Sequence, residues 1–237
     1  PAAEVPVPPV LPITSMYWYD QNGDGHHLDW RPEIHDSDGL AIAMANGEQI
    51  WRPLVNASRA QVNAFQAAGV RGFGLLQRDR DFGHYQDDGA FYDRRPNLWI
   101  EPQGDWGAGS VMLYEMPTDG ETQDNIGVFW VSDRQARKGS TVEAAYRLRW
   151  IAREPEGVAI ARLIDRFIGP AGVPGRASIP GARKYVFDFR GESLAGLTRE
   201  SGVKPVTNLP EAAIIHAAAY PVVGQDKVWR AMLDVKD

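Results

Sequence analysis

Apolar runs of six or seven residues, each bounded by Gly, Pro, Asp or Asn, recur along the chain. LAIAMA (40–45) and EQIWRPL (48–54) flank Asn46-Gly47. Two residues able to take positive φ between apolar runs predict a β-hairpin. GFGLLQR (72–78), NLWIEP (97–102), SVMLYEM (110–116) and IGVFWV (126–131) read as further strands, aromatic or β-branched and short. In TVEAAYRLRWI, Val142, Ala144, Tyr146, Leu148 and Trp150 fall on one face and Glu143, Arg147 and Arg149 on the other, a period of two that predicts a half-buried strand. VAIARLIDRFI (158–168), KYVFDFR (184–190), EAAIIHAAAY (211–220) and KVWRAMLDVK (227–236) follow, with PVVGQD (221–226) as the turn joining the last two. NASRAQVNAFQAAG (56–69) and EAAIIHAA (211–218) carry helical propensity, yet their β neighbours argue for strands. The pattern predicts an all-β protein. Its opening, PAAEVPVPPVLPI, with five prolines in thirteen residues, reads as a stiff extended lead-in barred from a sheet interior, and as a mature or internal start.

Charge divides the chain. Residues 1–133 hold 20 acids against 8 Arg and no Lys, whereas residues 134–237 hold 11 acids against 17 bases. The switch falls in the polar stretch WVSDRQARKGST (130–141), closed by Gly139. Such composition marks an exposed connection. The expected organisation is therefore a first β domain over 1–133, a linker over 134–141, and a small Ig-like β-sandwich over 142–237. The basic residues of the second half are scattered among strands, which argues against nucleic acid as a partner. Zero cysteines removes disulfides and cysteine metal sites without fixing the compartment. No apolar run approaches the roughly 18 residues of a membrane span.

Candidate chemistry clusters in PEIHDSDGL (32–40), where Glu33, His35, Asp36 and Asp38 crowd together before an apolar run. Composition alone leaves a metal site, an acidic turn and half of a general acid–base pair all open. DQNGDGHHLDWR (20–31) opens like a calcium loop, with Asp20, Asn22, Asp24 and Gly25 in place, but Arg31 stands where the bidentate Glu belongs. His26 and His27 lack a third ligand at usable spacing, so no metal is assigned. RDRDFG (78–83) lacks the companion motifs of kinases, which leaves Arg78, Asp79, Arg80 and Asp81 for mutual pairing or for sugar hydroxyls. No nucleophile elbow, phosphate loop or zinc-protease helix is present, and no cofactor is implied. Six of the eight Trp lie before residue 131, interleaved with acids and Arg in YWYDQ, IWRPL, LWIEP and GDWGAG. Aromatic faces beside hydrogen-bonding groups suit a sugar, and Trp51, Arg52 and Trp106 join the candidate cleft on that ground.

TSMYWY (14–19), RPEIHDSDGL (31–40), NGEQIWRPL (46–54), GFGLLQRDRDFGHYQDD (72–88), RRPNLWIEPQGDWGAGSV (94–111) and ETQDNIGVFW (121–130) strongly resemble the periplasmic glucan biosynthesis proteins G and D. The resemblance implies the C-terminal half of a protein about twice as long. It implies part of a large galactose-mutarotase-like β-sandwich followed by an Ig-like domain, acting in the bacterial periplasm on glucans with a β-1,2-linked glucose backbone. Members are described as assembly factors and, in part, as anomer-inverting endo-β-1,2-glucanases. The resemblance implies that Asp36 in HDSDGL and Asp124 in ETQDN share the acid and base work, without fixing which is which, with Glu121 and Tyr92 nearby in the cleft; His35 and Asp38 are expected to orient Asp36 or close the turn before Gly39. The alternative that the same motifs imply is a non-catalytic glucan-binding factor in backbone assembly or export. Oligomeric state stays open, a homodimer included.

Overall fold

The computed structural model describes residues 4–6, 10–20, 29–155, 161–173 and 175–236. The chain divides into two compact units, Pro1–Pro155 and Glu156–Asp237. The first holds β1 (Glu4–Pro6), β2 (Val10–Met16), β3 (Tyr19–Asp20), β4 (Glu33–Ile34), β5 (Gly39–Met44), β6 (Gln49–Pro53), β7 (Gln61–Ala67) and β8 (Val70–Leu76). After the single-turn helix α1 (Phe82–Tyr85) come β9 (Asn97–Gln103), β10 (Gly109–Glu115), β11 (Ile126–Ser132), β12 (Gln135–Arg137) and β13 (Ala145–Ile151). The second unit holds β14 (Arg162–Pro170), β15 (Ala182–Arg190), β16 (Ile214–Pro221) and β17 (Val228–Lys236). The protein is all-β, as its periodicity predicts. Among the described residues, no helix is long and apolar enough to cross a membrane.

Two antiparallel sheets, ordered β2-β11-β10-β7 and β13-β9-β8-β5-β6, build the first unit. Alternation supplies their shared core. Leu40, Ile42 and Met44 of β5, Phe73 and Leu75 of β8 and Ile100 of β9 meet Val111 and Leu113 of β10 and Ile126, Val128 and Trp130 of β11. Burial of such side chains contributes about 1.5–3 kcal/mol each. The Asn46-Gly47 hairpin forms as expected: Ala43 pairs with Gln49, and Gly47 takes φ +96°. On the outer face of the five-stranded sheet, the Trp51 and Trp99 rings lie against Gly39 and Gly72, where a Cβ would collide with them.

Both segments of helical propensity are strands. β7 pairs with β10 along its whole length, and β16 pairs with β17 after one 3-10 turn at Glu211–Ala213. Each gains a full ladder of backbone hydrogen bonds, which outweighs a propensity difference of tenths of a kcal/mol per residue. The proline-rich opening does pair, but at margins: β2 is an edge strand, and Pro12 lies in the irregular stretch between the Thr14–Val128 and Val10–Trp130 pairs. A residue without N–H is tolerated there.

The expected boundary at 134–141 needs correction. β13, taken from sequence as the opening strand of the second domain, pairs over seven residues with β9 and extends the first unit's sheet. Ala144 and Leu148 pack against the first unit's core, while Arg147 and Arg149 pair with Glu101 of β9. The charge switch marks an exposed turn, not the end of the fold. With β13 gone, the described residues of the second unit form one antiparallel sheet, β14-β15-β17-β16, fewer strands than the resemblance led us to expect.

Gly74 shows how tightly the five-stranded sheet is built. A Cβ there would land on the Leu98 carbonyl oxygen, within the ladder that joins β8 to β9. Backbone cannot yield as a side chain can. Gly74→Ala should cost about 1–3 kcal/mol, the range for overpacking, whereas Gly120→Ala, with open space around it, should stay within about 0.5 kcal/mol. Urea unfolding of both variants measures the contrast.

Candidate functional site

The site grows from the start of β5. Asp38 donates its N–H to Leu76 O at 3.0 Å and accepts from Leu54 N–H at 3.0 Å, which ties the ends of β8 and β6 together. Its carboxylate Oδ2 accepts the N–H groups of Arg78 at 2.9 Å and Asp79 at 2.7 Å. The other oxygen, Oδ1, is buried with no hydrogen-bond partner. Burial therefore pushes the Asp38 carboxyl up to about 6, against the opposing charge of His35 and the two N–H groups.

His35 is wedged behind it, stacked on Trp18 at 5.7 Å and edge-on to Tyr85 at 5.2 Å. Its ring nitrogens contact Gln77 Oε1 at 3.2 Å and Glu33 Oε2 at 3.1 Å. Burial opposes its positive charge, but the Glu33 hydrogen bond and the carboxylates of Glu33, Asp38 and Asp20 outweigh that and hold its pKa above the ordinary value. The remaining carboxyl of HDSDGL, Asp36, is half-buried beside these two. Burial raises it, Arg95 lowers it and Asp124 raises it, with a net upward shift. The charge of Asp124 is thus the smallest of the influences on Asp36.

Asp124 is exposed on the loop entering β11. Its neighbour Asn125 anchors that loop by accepting Trp18 N–H at 2.8 Å and donating to Trp18 O at 3.2 Å. Beside it, Arg31 gathers three carboxylates: Asp29 at 2.8 Å, Asp87 at 2.7 Å and Glu121 at 2.8 Å. Glu121 also accepts the Tyr92 hydroxyl proton in a short hydrogen bond. Tyr92 and Arg31 together hold Glu121 below the usual carboxylate range, and Arg31 draws Asp29 down to about 2. Burial, then Glu121, raises the Tyr92 phenol. Arg95 lies 4.9 Å over the Tyr92 ring and donates to Ala90 O at 3.0 Å. Arg31, Asp87 and Arg95 were not singled out from sequence. Arg31 counted only as the residue that spoils a calcium loop, and the carboxylates it pairs are 2, 56 and 90 positions away.

Other expected ligands lie elsewhere. Trp106 belongs to the core, packed on Trp130 at 6.0 Å with its indole N–H on Ala145 O at 3.0 Å. Arg52 points inward to the fully buried Glu115, which also accepts Gln61 Nε2 and Val55 N–H. Arg78 lies 3.5 Å over the Trp51 ring and is paired with Glu154. Arg80 clamps the carbonyls of Asp93 and Arg95 at 3.0 and 2.9 Å, holding the loop that carries Tyr92. Asp79 pairs with His84. The Arg78–Asp81 stretch therefore serves architecture rather than mutual pairing.

Glu33, Asp79 and His84 place one donor atom each within 4.8 Å of one another, an arrangement able to hold a metal ion that the sequence reading did not anticipate. Asp79 already closes on His84 and Glu33 on His35, so each donor has a protein partner. Residues 21–28 of the calcium-like loop, with Asn22, Asp24, His26 and His27, lie outside the described residues.

These observations define a class: an all-β protein whose acid-rich site sits on loops at the end of a sandwich, with a tyrosine, a glutamate and an arginine joined in series. The chain belongs to the family described as periplasmic glucan biosynthesis protein, MdoG, which it matches over residues 3–237. The periplasmic location expected from the resemblance is the family's. Similar relatives include glucans biosynthesis protein D 2 of Ralstonia nicotianae, 44% identical over 230 residues, and the probable glucans biosynthesis protein D of Shewanella oneidensis, 45% identical over 226. Glucans biosynthesis protein D of Stenotrophomonas maltophilia is 42% identical over 226 residues. These matches cover 95% of this chain and 42% of the relative in each case, so the chain spans less than half their length.

Asp38 makes the site's pH dependence predictable. Its folded pKa of about 6 lies above the ordinary 3.8, so folding takes up a proton between those values. The stability it contributes is full below about pH 4 and is lost as pH rises through 6. His35, also raised, acts in the same direction at higher pH. Asp38→Asn keeps an acceptor for the two N–H groups but cannot ionise. It should flatten the fall in unfolding free energy between pH 4 and 6 by up to about 1.4 kcal/mol per pH unit, one proton's worth. Denaturant melts across that range test it, and an unchanged slope counts against it.

Proposed function

We propose that this site hydrolyses a glucan within its chain, with Asp36 as general base and Asp124 as general acid. The observation that supports the reading is a half-buried Asp36 whose carboxyl is raised chiefly by burial and least by Asp124, which stands on a different loop. Glycoside hydrolysis needs one carboxyl to protonate the leaving oxygen and one carboxylate to activate water. A raised pKa makes Asp36 a stronger base than an exposed carboxylate. Exposure leaves Asp124 open to a glycosidic oxygen arriving from solvent.

Glu121 and Tyr92, locked by Arg31, offer fixed acceptor and donor groups to sugar hydroxyls. Fixed groups bind without paying for their own ordering. Trp51, Arg52, Arg78, Asp79, Arg80 and Trp106 support the loops and the core in this reading and make no sugar contact. The family name supports a glucan as the substrate class, and the β-1,2 linkage rests on the sequence resemblance. The curated relatives carry names of biosynthesis, which fits an enzyme that trims or remodels the polymer.

Asp→Asn keeps shape and removes the titratable proton. Either Asp36→Asn or Asp124→Asn in the full chain should lower turnover of linear β-1,2-glucan by about 10²–10⁴-fold, the range for general acid–base catalysis. Binding should survive. The limbs of the pH profile assign the roles: a base must be deprotonated, so Asp36→Asn should abolish the acidic limb, while Asp124→Asn should abolish the alkaline one. The double variant should be scarcely worse than the poorer single one. Wild-type rates in either variant would overturn the assignment. A wild-type protein that binds glucan without shortening it would leave a glucan-binding factor.

A further inference from the structure

The tryptophans expected to stack on sugar are occupied: Trp51 lies under Arg78, and Trp106 is in the core. Of the eight, only Trp30 and Trp150 are exposed, at 74% and 63%. Their settings differ. Trp150 sits on the edge strand β13, opposite Leu98, whereas Trp30 immediately precedes Arg31, the centre of the carboxylate cluster.

Trp30 is held by its neighbours rather than by its ring. The Asp29 carboxylate accepts the backbone N–H groups of both Trp30 and Arg31, the latter at 2.9 Å, and also binds the Arg31 guanidinium through Nε at 2.9 Å. Arg31 in turn is fixed to Asp87 and Glu121. The backbone on which the indole stands is therefore pinned to the site by charge-assisted hydrogen bonds, and the indole faces solvent. A large apolar ring left wet gains nothing for folding. It suits binding, because a rigid aromatic loses little conformational freedom on contact.

A second aromatic supports the same reading. Phe91, beside Tyr92, is 41% exposed and sits at φ +52°, a conformation that costs a bulky residue energy and is retained where the surrounding structure enforces it. Trp30 and Phe91 each adjoin a residue bound to Glu121, Arg31 in one case and Tyr92 in the other. Exposed rings thus flank the fixed polar groups on two segments. A pyranose needs this combination, since its C–H face is apolar while its rim of hydroxyls calls for charged or polar partners.

We infer that Trp30 is a stacking platform for a glucosyl unit of the polymer, a binding subsite next to the Arg31–Glu121 contact that sets affinity and not the chemical step. The inference rests on the glucan-hydrolase reading. Stacking acts equally on bound substrate and transition state, so its loss falls on KM more than on kcat.

The test uses the full chain and a linear β-1,2-gluco-oligosaccharide. Calorimetry in the Asp124→Asn background measures affinity, and steady-state kinetics measures KM and kcat in the otherwise wild-type protein. Trp30→Ala should weaken binding and raise KM by about 10- to 100-fold, the range for truncating an aromatic anchor. Trp30→Phe should recover most of it. Melting temperature should be nearly unchanged, because the indole is largely exposed. Unchanged affinity in Trp30→Ala would overturn the inference, as would a fall in melting temperature that Trp30→Phe does not restore, which would show a packing role. Failure of the wild type to bind or cleave the oligosaccharide is a separate result and overturns the hydrolase reading.

Discussion

Four hydrogen bonds to one residue, Asp38, join the sandwich to its site. Two run through its backbone, to Leu76 and Leu54, and two end on one carboxylate oxygen, from Arg78 and Asp79. The first pair holds the ends of β8 and β6 to the start of β5, and the second fixes the turn by which the chain leaves β8. Asp36, two residues upstream, and the loop containing Arg78–Asp81 take their positions from this knot. A carboxylate suits it because two converging N–H groups are better served by an ionised acceptor than by an amide. The cost is a buried charge with one oxygen left unsatisfied, which shows in its raised pKa.

That cost explains His35. Glu33, Asp38 and Asp20 are acids drawn into one buried neighbourhood, and an imidazole among them can carry the compensating proton. Trp18 and Tyr85 on its faces exclude water, so the compensation is felt at short range. Beside Asp36 there is thus a buried, proton-bearing layer. On the other flank Arg31 does for Asp29, Asp87 and Glu121 what His35 does for the buried acids. Six of the first half's acids gather in these two partly compensated clusters, while burial holds Asp36 raised.

Local signals were legible and long-range ones were not. Strands announce themselves through alternation and turn chemistry, both properties of neighbours, and Asn46-Gly47 is the clearest case. The domain boundary was misplaced because net charge is a property of surfaces. β13 carries arginines on the face that meets Glu101, so its composition looked foreign to an acidic domain that it completes. Trp51, Arg52 and Trp106 were chosen by residue type, yet the structure spends them on Gly39, Glu115 and the core. Arg31 could not have been found from spacing, since its partners come from three distant segments. A Trp–Arg pair directly after an acid, as in DWR, was the signal available.

The same contrast decides which aromatics are free to act. In a β-sandwich most tryptophans are claimed by sheet faces, because glycines opposite them leave space that only a large flat ring fills; Trp99 against Gly72 and Trp51 against Gly39 are examples. A tryptophan on a loop has no such claim. Its backbone can instead be tied down by charged neighbours, as that of Trp30 is by Asp29, through hydrogen bonds already made for another purpose. In the stacking proposal, the carboxylate network that positions Glu121 also holds the backbone that carries the platform. On that proposal polar recognition and apolar stacking share one structural unit, centred on a single guanidinium.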